Sequence, residues 1–108
     1  MKRGDIVTVA ISGDYGKPRP AVVVQSDWLD ETDSVLVCLM TTTHRDAPLY
    51  RLDVASGAAT GLRESSQIMA EKMIALRREK CGPPIGRLDA PSLTAIGRML
   101  ALMIGVAD

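Results

Sequence analysis

Apolar positions in the first half of the chain recur with a period of two. In Asp5 to Ser12 (DIVTVAIS), Val7, Val9 and Ile11 share one face, while Ile6, Thr8, Ala10 and Ser12 make a mixed one. That spacing predicts a strand with one fully buried side. The next eight residues, GDYGKPRP, hold two glycines and two prolines and read as a loop. Ala21 to Gln25 (AVVVQ) is apolar until its last residue and predicts a central strand with Arg19 at its entrance. Ser34 to Thr41 (SVLVCLMT) predicts a third strand of the same kind. Leu49 to Val54 (LYRLDV) alternates again, with Tyr50, Leu52 and Val54 together.

Beyond the small-residue stretch ASGAATG the pattern is less regular. Ser66 to Leu76 contains IMAEKMIAL, whose spacing suits strand or helix; the neighbouring sheet segments favour a strand with a short turn. CGPPIGRL predicts a turn followed by a brief strand. A helix is predicted over Pro91 to Val106, with Asp89 as its N-cap or just before it and Pro91 in its first turn. Leu93, Ile96, Leu100, Met103 and Ile104 form one apolar face of that helix, and Met99, Leu102 and Val106 lie off it. This is more apolar surface than a helix on a small barrel needs, which points to a second subunit. Short strands followed by one C-terminal helix predict a mainly β fold with some α, an open SH3-like β-barrel with the helix packed against it.

Composition narrows the functional classes. With 108 residues the chain is expected to be a single domain, residues 1–108, with a thin core built without Phe. Thirteen basic residues balance thirteen acidic ones, so bulk charge does not drive nucleic-acid binding, though a local basic patch remains possible. Asp27, Asp30, Glu31 and Asp33 crowd one loop, expected to be a solvated turn. Lys72, Arg77, Arg78 and Lys80 make a basic segment that is either solvated surface or a binding patch. Trp28, the sole tryptophan, is expected to lie partly buried against the barrel, with cover of a groove or stacking on a base as the alternatives. Cys38 reads as a small core residue. The two cysteines show no metal-ligand spacing, and the one histidine, His44, is expected in an exposed loop. MKRGD lacks an apolar signal segment, which makes the cytoplasm the default compartment and leaves no membrane partner.

The chemistry available is that of Arg, Lys, Thr, Ser, Glu and Asp. No phosphate-binding glycine loop matches, and one histidine leaves no Ser-His-Asp arrangement. This set suits attack of a ribose 2′-hydroxyl on its own phosphate. RNA carries its own nucleophile there, and the protein moves protons and neutralises phosphate oxygens. Taken alone, Arg19 is more simply a surface ion pair, and Thr41 to Thr43 could be strand-end hydroxyls making local turns.

The order of segments is more specific. KRGDIV, KPRPAVVVQ, LMTTTHRDAP, IMAEKMIALRREKCGPPIGRL and a closing helix resemble, over almost the entire chain, the MazF/PemK family of type II toxin–antitoxin endoribonucleases. The resemblance implies a MazF/CcdB-like barrel that forms a homodimer. It implies metal-independent cleavage of single-stranded RNA at short preferred sequences, with no cofactor, and inhibition by a cognate antitoxin. By position it implies Arg19 and Thr41 as active-site residues, Thr41 being preferred to Thr42 by its distance to Pro48. Glu71, followed by Lys72, stands where some members carry an Asp-Gln pair whose aspartate is proposed as a base; base and surface carboxylate are both open to it. Around these, Lys17, Thr42, Arg45, Lys72, Arg77 and Arg78 are the expected RNA contacts. The alternative on the same fold is a non-enzymatic, CcdB-like toxin that binds gyrase through the end of its C-terminal helix. A plain RNA- or peptide-binding barrel is disfavoured by the scarcity of aromatic residues.

Overall fold

A computed structural model describes residues 1–11 and 17–107. Ser12, the expected end of the first strand, and residues 13–16 of the expected loop lie outside them. Six strands among the described residues form one antiparallel sheet: β1 (Asp5–Val9), β2 (Arg19–Val23), β3 (Ser34–Thr41), β4 (Arg51–Val54), β5 (Ser66–Arg77) and β6 (Cys81–Arg87). Their spatial order is β4-β5-β3-β2-β1-β6, so the valine-rich second strand is central, as its composition predicts. One helix, α1 (Ala90–Met103), follows the last strand.

The sheet is buried on both sides of its middle, not on one. Ile6, Val22 and Cys38 point into a core shared with Ile68 and with Ile96 of α1. Val7, Val9, Ala21, Val23, Val35 and Val37 form a second core on the other side. The first strand has the expected mixed face, with Ile6 buried, Thr8 half-buried and Ala10 exposed, and the sheet curls around the two cores. The curl comes from irregular pairing. Between β3 and β5 the register slips, from Cys38↔Met73 to Met40↔Ile68, and β1 against β6 slips at Val7. Such bulges bend a strand and raise its twist.

The curled edges meet through the small-residue loop after β4. Arg87 N donates to Ala59 O at 2.9 Å, so this loop leans on β6, the opposite edge of the sheet. Gly61 has φ +71°, and a β-carbon there would lie 2.1 Å from Ile85 O. At Gly86 a β-carbon would lie 2.2 Å from Thr60 C, so the two backbones touch only because both positions are glycine. The CGPPIGR segment is thus a full strand and not the turn its prolines suggest. Its position at the sheet edge explains this, since β6 needs ladder donors on one side only and Pro84 sits where the register slips.

The RGD segment has a structural use. Gly4, at φ +95°, donates to Val23 O at 2.8 Å and accepts from Leu88 N at 2.9 Å, which joins β2 to the chain just after β6. Buried Asp5 accepts from Lys2 N at 2.8 Å and from Arg87 Nη1 at 2.5 Å.

Helix α1 starts as predicted, with the Asp89 side chain accepting from Ser92 N at 2.8 Å. It ends earlier, at Met103, with Gly105 beyond it at φ +83°. Ile96 is completely buried, worth roughly 1.5–3 kcal/mol, and Leu93, Met99 and Leu100 pack on the same core. Three positions change. Met99 belongs to the packed face, whereas Met103 and Ile104 are exposed together with Leu102 and Val106.

Trp28 is also a correction. It lies in a short 3-10 turn, Asp27–Leu29, and is 93% exposed rather than partly buried. Interior bonds orient that turn, which leaves the ring outside. Gln25 Nε2 donates to Leu29 O at 2.6 Å and to Thr32 Oγ1 at 2.8 Å, and Arg78 Nε donates to Thr32 O at 2.6 Å.

Candidate active site

Arg19 opens β2 and pairs with Val9 of β1. By strand alternation it shares the face that carries Ala21 and Val23, and it is exposed. The β2–β3 register pairs Ala21 with Leu39 and Val23 with Val37. Carried on by two residues, the same register sets Arg19 opposite Thr41, the last residue of β3. Thr41 Oγ1 accepts from Thr43 N at 3.1 Å, which shapes the turn after the strand and leaves the hydroxyl its own proton to donate. Thr42 and Lys17 are exposed beside these two residues.

Thr41 pairs in turn with Gln67 of β5, and Gln67 with Asp53 of β4. Gln67 is buried and acts as a hub. Its Oε1 accepts from Arg45 N at 3.0 Å, and its Nε2 donates to Arg45 O at 2.9 Å and to Asp53 Oδ1 at 2.9 Å. The loop after β3 is therefore clamped to the sheet by one amide side chain, with the Arg45 side chain left exposed. His44, exposed as expected, closes the same loop at 3.1 Å from Ser65 O.

Arg51 is the cation at the centre of this network. Its side chain is only 6% exposed. Its Nε donates to Glu71 Oε1 at 3.0 Å and Oε2 at 2.8 Å, its Nη2 lies 2.7 Å from Oε2, and its Nη1 reaches Gln67 Oε1 at 3.5 Å. Burial alone would raise the Glu71 carboxyl. The Arg51 hydrogen bonds and charge, with the Arg45 charge behind them, outweigh burial and hold it below its ordinary value. A carboxylate so stabilised is a poor acceptor of protons near neutral pH. Arg45, Arg51, Asp53 and Gln67 border an open depression of about 330 Å³, with Met99 of α1 on its wall.

The remaining candidates divide. Lys72 is exposed beside Glu71, where the β3–β5 register slips. Arg77 pairs with Ser34, at the opposite end of β3 from Thr41, roughly 23 Å away along the strand at about 3.3 Å per residue. Arg77 forms an exposed ion pair with Glu79 at 2.8 Å, and Arg78 is spent on the carbonyls of Leu29 and Thr32. The register thus sets Arg19, Thr41 and Gln67 in one row across β2, β3 and β5, Gln67 links that row to Arg45, Arg51 and, through Arg51, Glu71, and Arg77 and Arg78 lie apart. Arg51 and Gln67 were not singled out by sequence reasoning. The available signal was a charged residue at the polar phase of LYRLDV, three positions after Pro48. Cys38 is core, as expected, and burial followed by the nearby Glu71 charge pushes its thiol up to about 12, which makes it unreactive.

An exposed guanidinium and a hydroxyl donor set opposite each other at the end of β2 and β3 are suited to holding a crowded phosphate. Solved structures share the fold. An endoribonuclease in complex with its cognate antitoxin from a mycobacterial species has a TM-score of 0.81 at 21% identity, covering 98% of this chain and 96% of that one. A MazE–MazF complex from Deinococcus radiodurans has a TM-score of 0.75 at 20% identity, covering 97% and 95%. A probable endoribonuclease MazF of Mycolicibacterium smegmatis is 40% identical over 108 residues, 99% of both chains. Residues 2–104 match the family described as PemK-like, MazF-like toxin of type II toxin-antitoxin system. An open barrel and a capped C-terminal helix agree with that match, and the chain belongs to the PemK-like, MazF-like family of type II toxins.

Proposed function

We propose that this toxin is an endoribonuclease that cuts single-stranded RNA at preferred sequences, without metal, through the substrate's own 2′-hydroxyl. The observation that supports the reading is the β2–β3 register, which, continued by two residues, puts Arg19 opposite Thr41. The 40% identical mycobacterial relative, named a probable endoribonuclease, supports it. In the reaction the 2′-oxygen bonds to phosphorus as the bond to the 5′-oxygen breaks. Arg19 holds the two non-bridging oxygens through its planar fork, and the Thr41 hydroxyl donates to one of them. Glu71 fixes Arg51, and a water it orients takes the 2′-hydroxyl proton; a second water returns a proton to the leaving 5′-oxygen. Lys17, Thr42, Arg45 and Lys72 guide the flanking phosphates and bases, with Arg77 and Arg78 too distant to join them within one chain.

A single-stranded RNA oligomer incubated in EDTA tests the reading. It is expected to yield a 2′,3′-cyclic phosphate and a free 5′-hydroxyl, whereas the same oligomer with a 2′-O-methyl at the scissile nucleotide is expected to survive. Undiminished cutting of the methylated oligomer excludes 2′-hydroxyl attack. Intact RNA together with loss of DNA supercoiling by gyrase would mark a gyrase-binding toxin instead.

Its partners follow from the same surfaces. Structurally similar toxins have been solved with their antitoxins, and an extended acidic antitoxin segment is the complement of exposed Arg19, Lys72, Arg77 and Lys80. A homodimer accounts for the exposed Leu102, Met103, Ile104 and Val106 beyond the packed part of α1. Sedimentation at micromolar concentration is expected to give twice the chain mass; a monomer at that concentration removes the dimer. Among the described residues no helix is long and apolar enough to cross a membrane, which is compatible with action in the cytoplasm.

A further inference from the structure

A second hollow opens on the other side of the strand end that carries Arg19. It has a volume of about 700 Å³, within the range of small-molecule clefts. Pro18 and Pro20 form one wall, with Thr8, the cross-strand partner of Pro20, next to it. Leu62 and Ile85 line it as well, together with the exposed Thr42, Arg63 and Glu64. The wall exists because of the close approach that Gly61 permits, which brings the loop before β5 against Ile85 of β6.

The lining is chemically uneven in a telling way. Proline rings and branched aliphatic side chains offer flat, apolar faces, while the hydroxyls of Thr8, Thr42 and Ser66 and the exposed Arg63 and Glu64 add polar and charged groups. A flat heterocycle with polar edges fits this distribution. Aromatic stacking platforms are the common solution for single-stranded nucleic acid, and here pyrrolidine and aliphatic surfaces take that place. The location is equally specific. Pro18 and Pro20 flank Arg19 in sequence, and Thr42 follows Thr41. Strand residues are spaced about 3.3 Å apart and alternate between faces, so the hollow begins one residue from the phosphate-holding pair, around the end of the sheet. A base and its own phosphate are separated by a single sugar.

From this we infer that the hollow is a nucleobase subsite. It receives the base of one nucleotide adjoining the scissile phosphate and so sets part of the sequence preference. The inference rests on the endoribonuclease reading above. Leu62 and Ile85 supply contact with the ring faces, and the Glu64 carboxylate accepts from ring or exocyclic N–H groups at the base edge.

The test is cleavage of a randomised single-stranded RNA pool by the unmodified protein, by Ile85→Trp, which fills the hollow, and by Glu64→Ala, which removes only an exposed side chain. Sequencing of the products gives the base frequencies around each cut, and thermal unfolding reports whether each variant is folded. Both variants are expected to lower discrimination about tenfold at one and the same position beside the cut, with preferences at other positions kept. Unchanged preferences at every position in the two folded variants overturn the subsite, even if overall rates fall. An unmodified protein that cuts no RNA in the pool overturns the endoribonuclease reading and the subsite together, so the two failures are told apart.

Discussion

Arg19→Ala is expected to slow RNA cleavage by two to four decades. Removal of one preorganised donor to developing phosphate charge typically costs about 10²–10³ in rate, and any part in proton transfer adds to that. The residue is exposed at the first position of β2, so the loss should appear in the chemical step with little change in unfolding. Arg19→Lys should recover only part of the rate, because a point charge cannot reproduce two parallel hydrogen bonds from a rigid plane. Thr41→Val should cost less, roughly tenfold, in line with about one hydrogen bond. Single-turnover cleavage of a short RNA measures all three. An Arg19→Ala protein cutting within threefold of the unmodified one would remove Arg19 from the active site.

Arg51→Met is expected to destabilise the fold by roughly 3 kcal/mol at pH 7, the low end of what losing one partner of a buried ion pair costs. The low end applies because Glu71 keeps a 23% exposed side chain, so water relieves part of the stranded charge. The pH dependence follows from the direction of the Glu71 shift. Its carboxyl is held below the ordinary value in the folded chain, so the pair contributes stability above the unfolded glutamate pKa of about 4.3. That contribution disappears as pH falls through the lower, folded value. Urea unfolding at pH 7 and again near pH 3 should therefore show a large gap between Arg51→Met and the unmodified protein that narrows in acid. A gap below 1 kcal/mol at pH 7, or one that does not change with pH, would mean the pair contributes little. Because Arg51 also touches Gln67, the same variant loosens the loop after β3 and should slow cleavage as well.

These two residues differ in how visible they are in the chain. Arg19 stands out because a charged residue between two prolines opens a run of valines, and the family motif falls on it. Arg51 and Gln67 are each one polar residue in an alternating segment, and nothing local separates a solvated side chain from a buried hub. Their partners lie 20 and 22 residues away in sequence, at Glu71 and Arg45. Arg78 is the reverse case. A basic segment suggested a binding patch, yet its guanidinium is occupied by carbonyls 46 and 49 residues distant.

Local pattern alone was enough for the three valine-rich strands, the Asp89-capped helix, the core place of Cys38 and the family. Each depends on side-chain periodicity, on a capping bond three residues long, or on a short motif. What the tertiary structure decided was everything set by neighbours distant in sequence. The prolines of β6 are tolerated because that strand is an edge, and Ile6 on the mixed face of β1 is buried because bulges curl the sheet. Trp28 stays outside because Gln25 and Arg78 hold its turn from within. Glu71 is ionised and clamped because Arg51 arrives from the next strand. Periodicity tells which residues share a face, but only the register and curl of the whole sheet determine what that face meets.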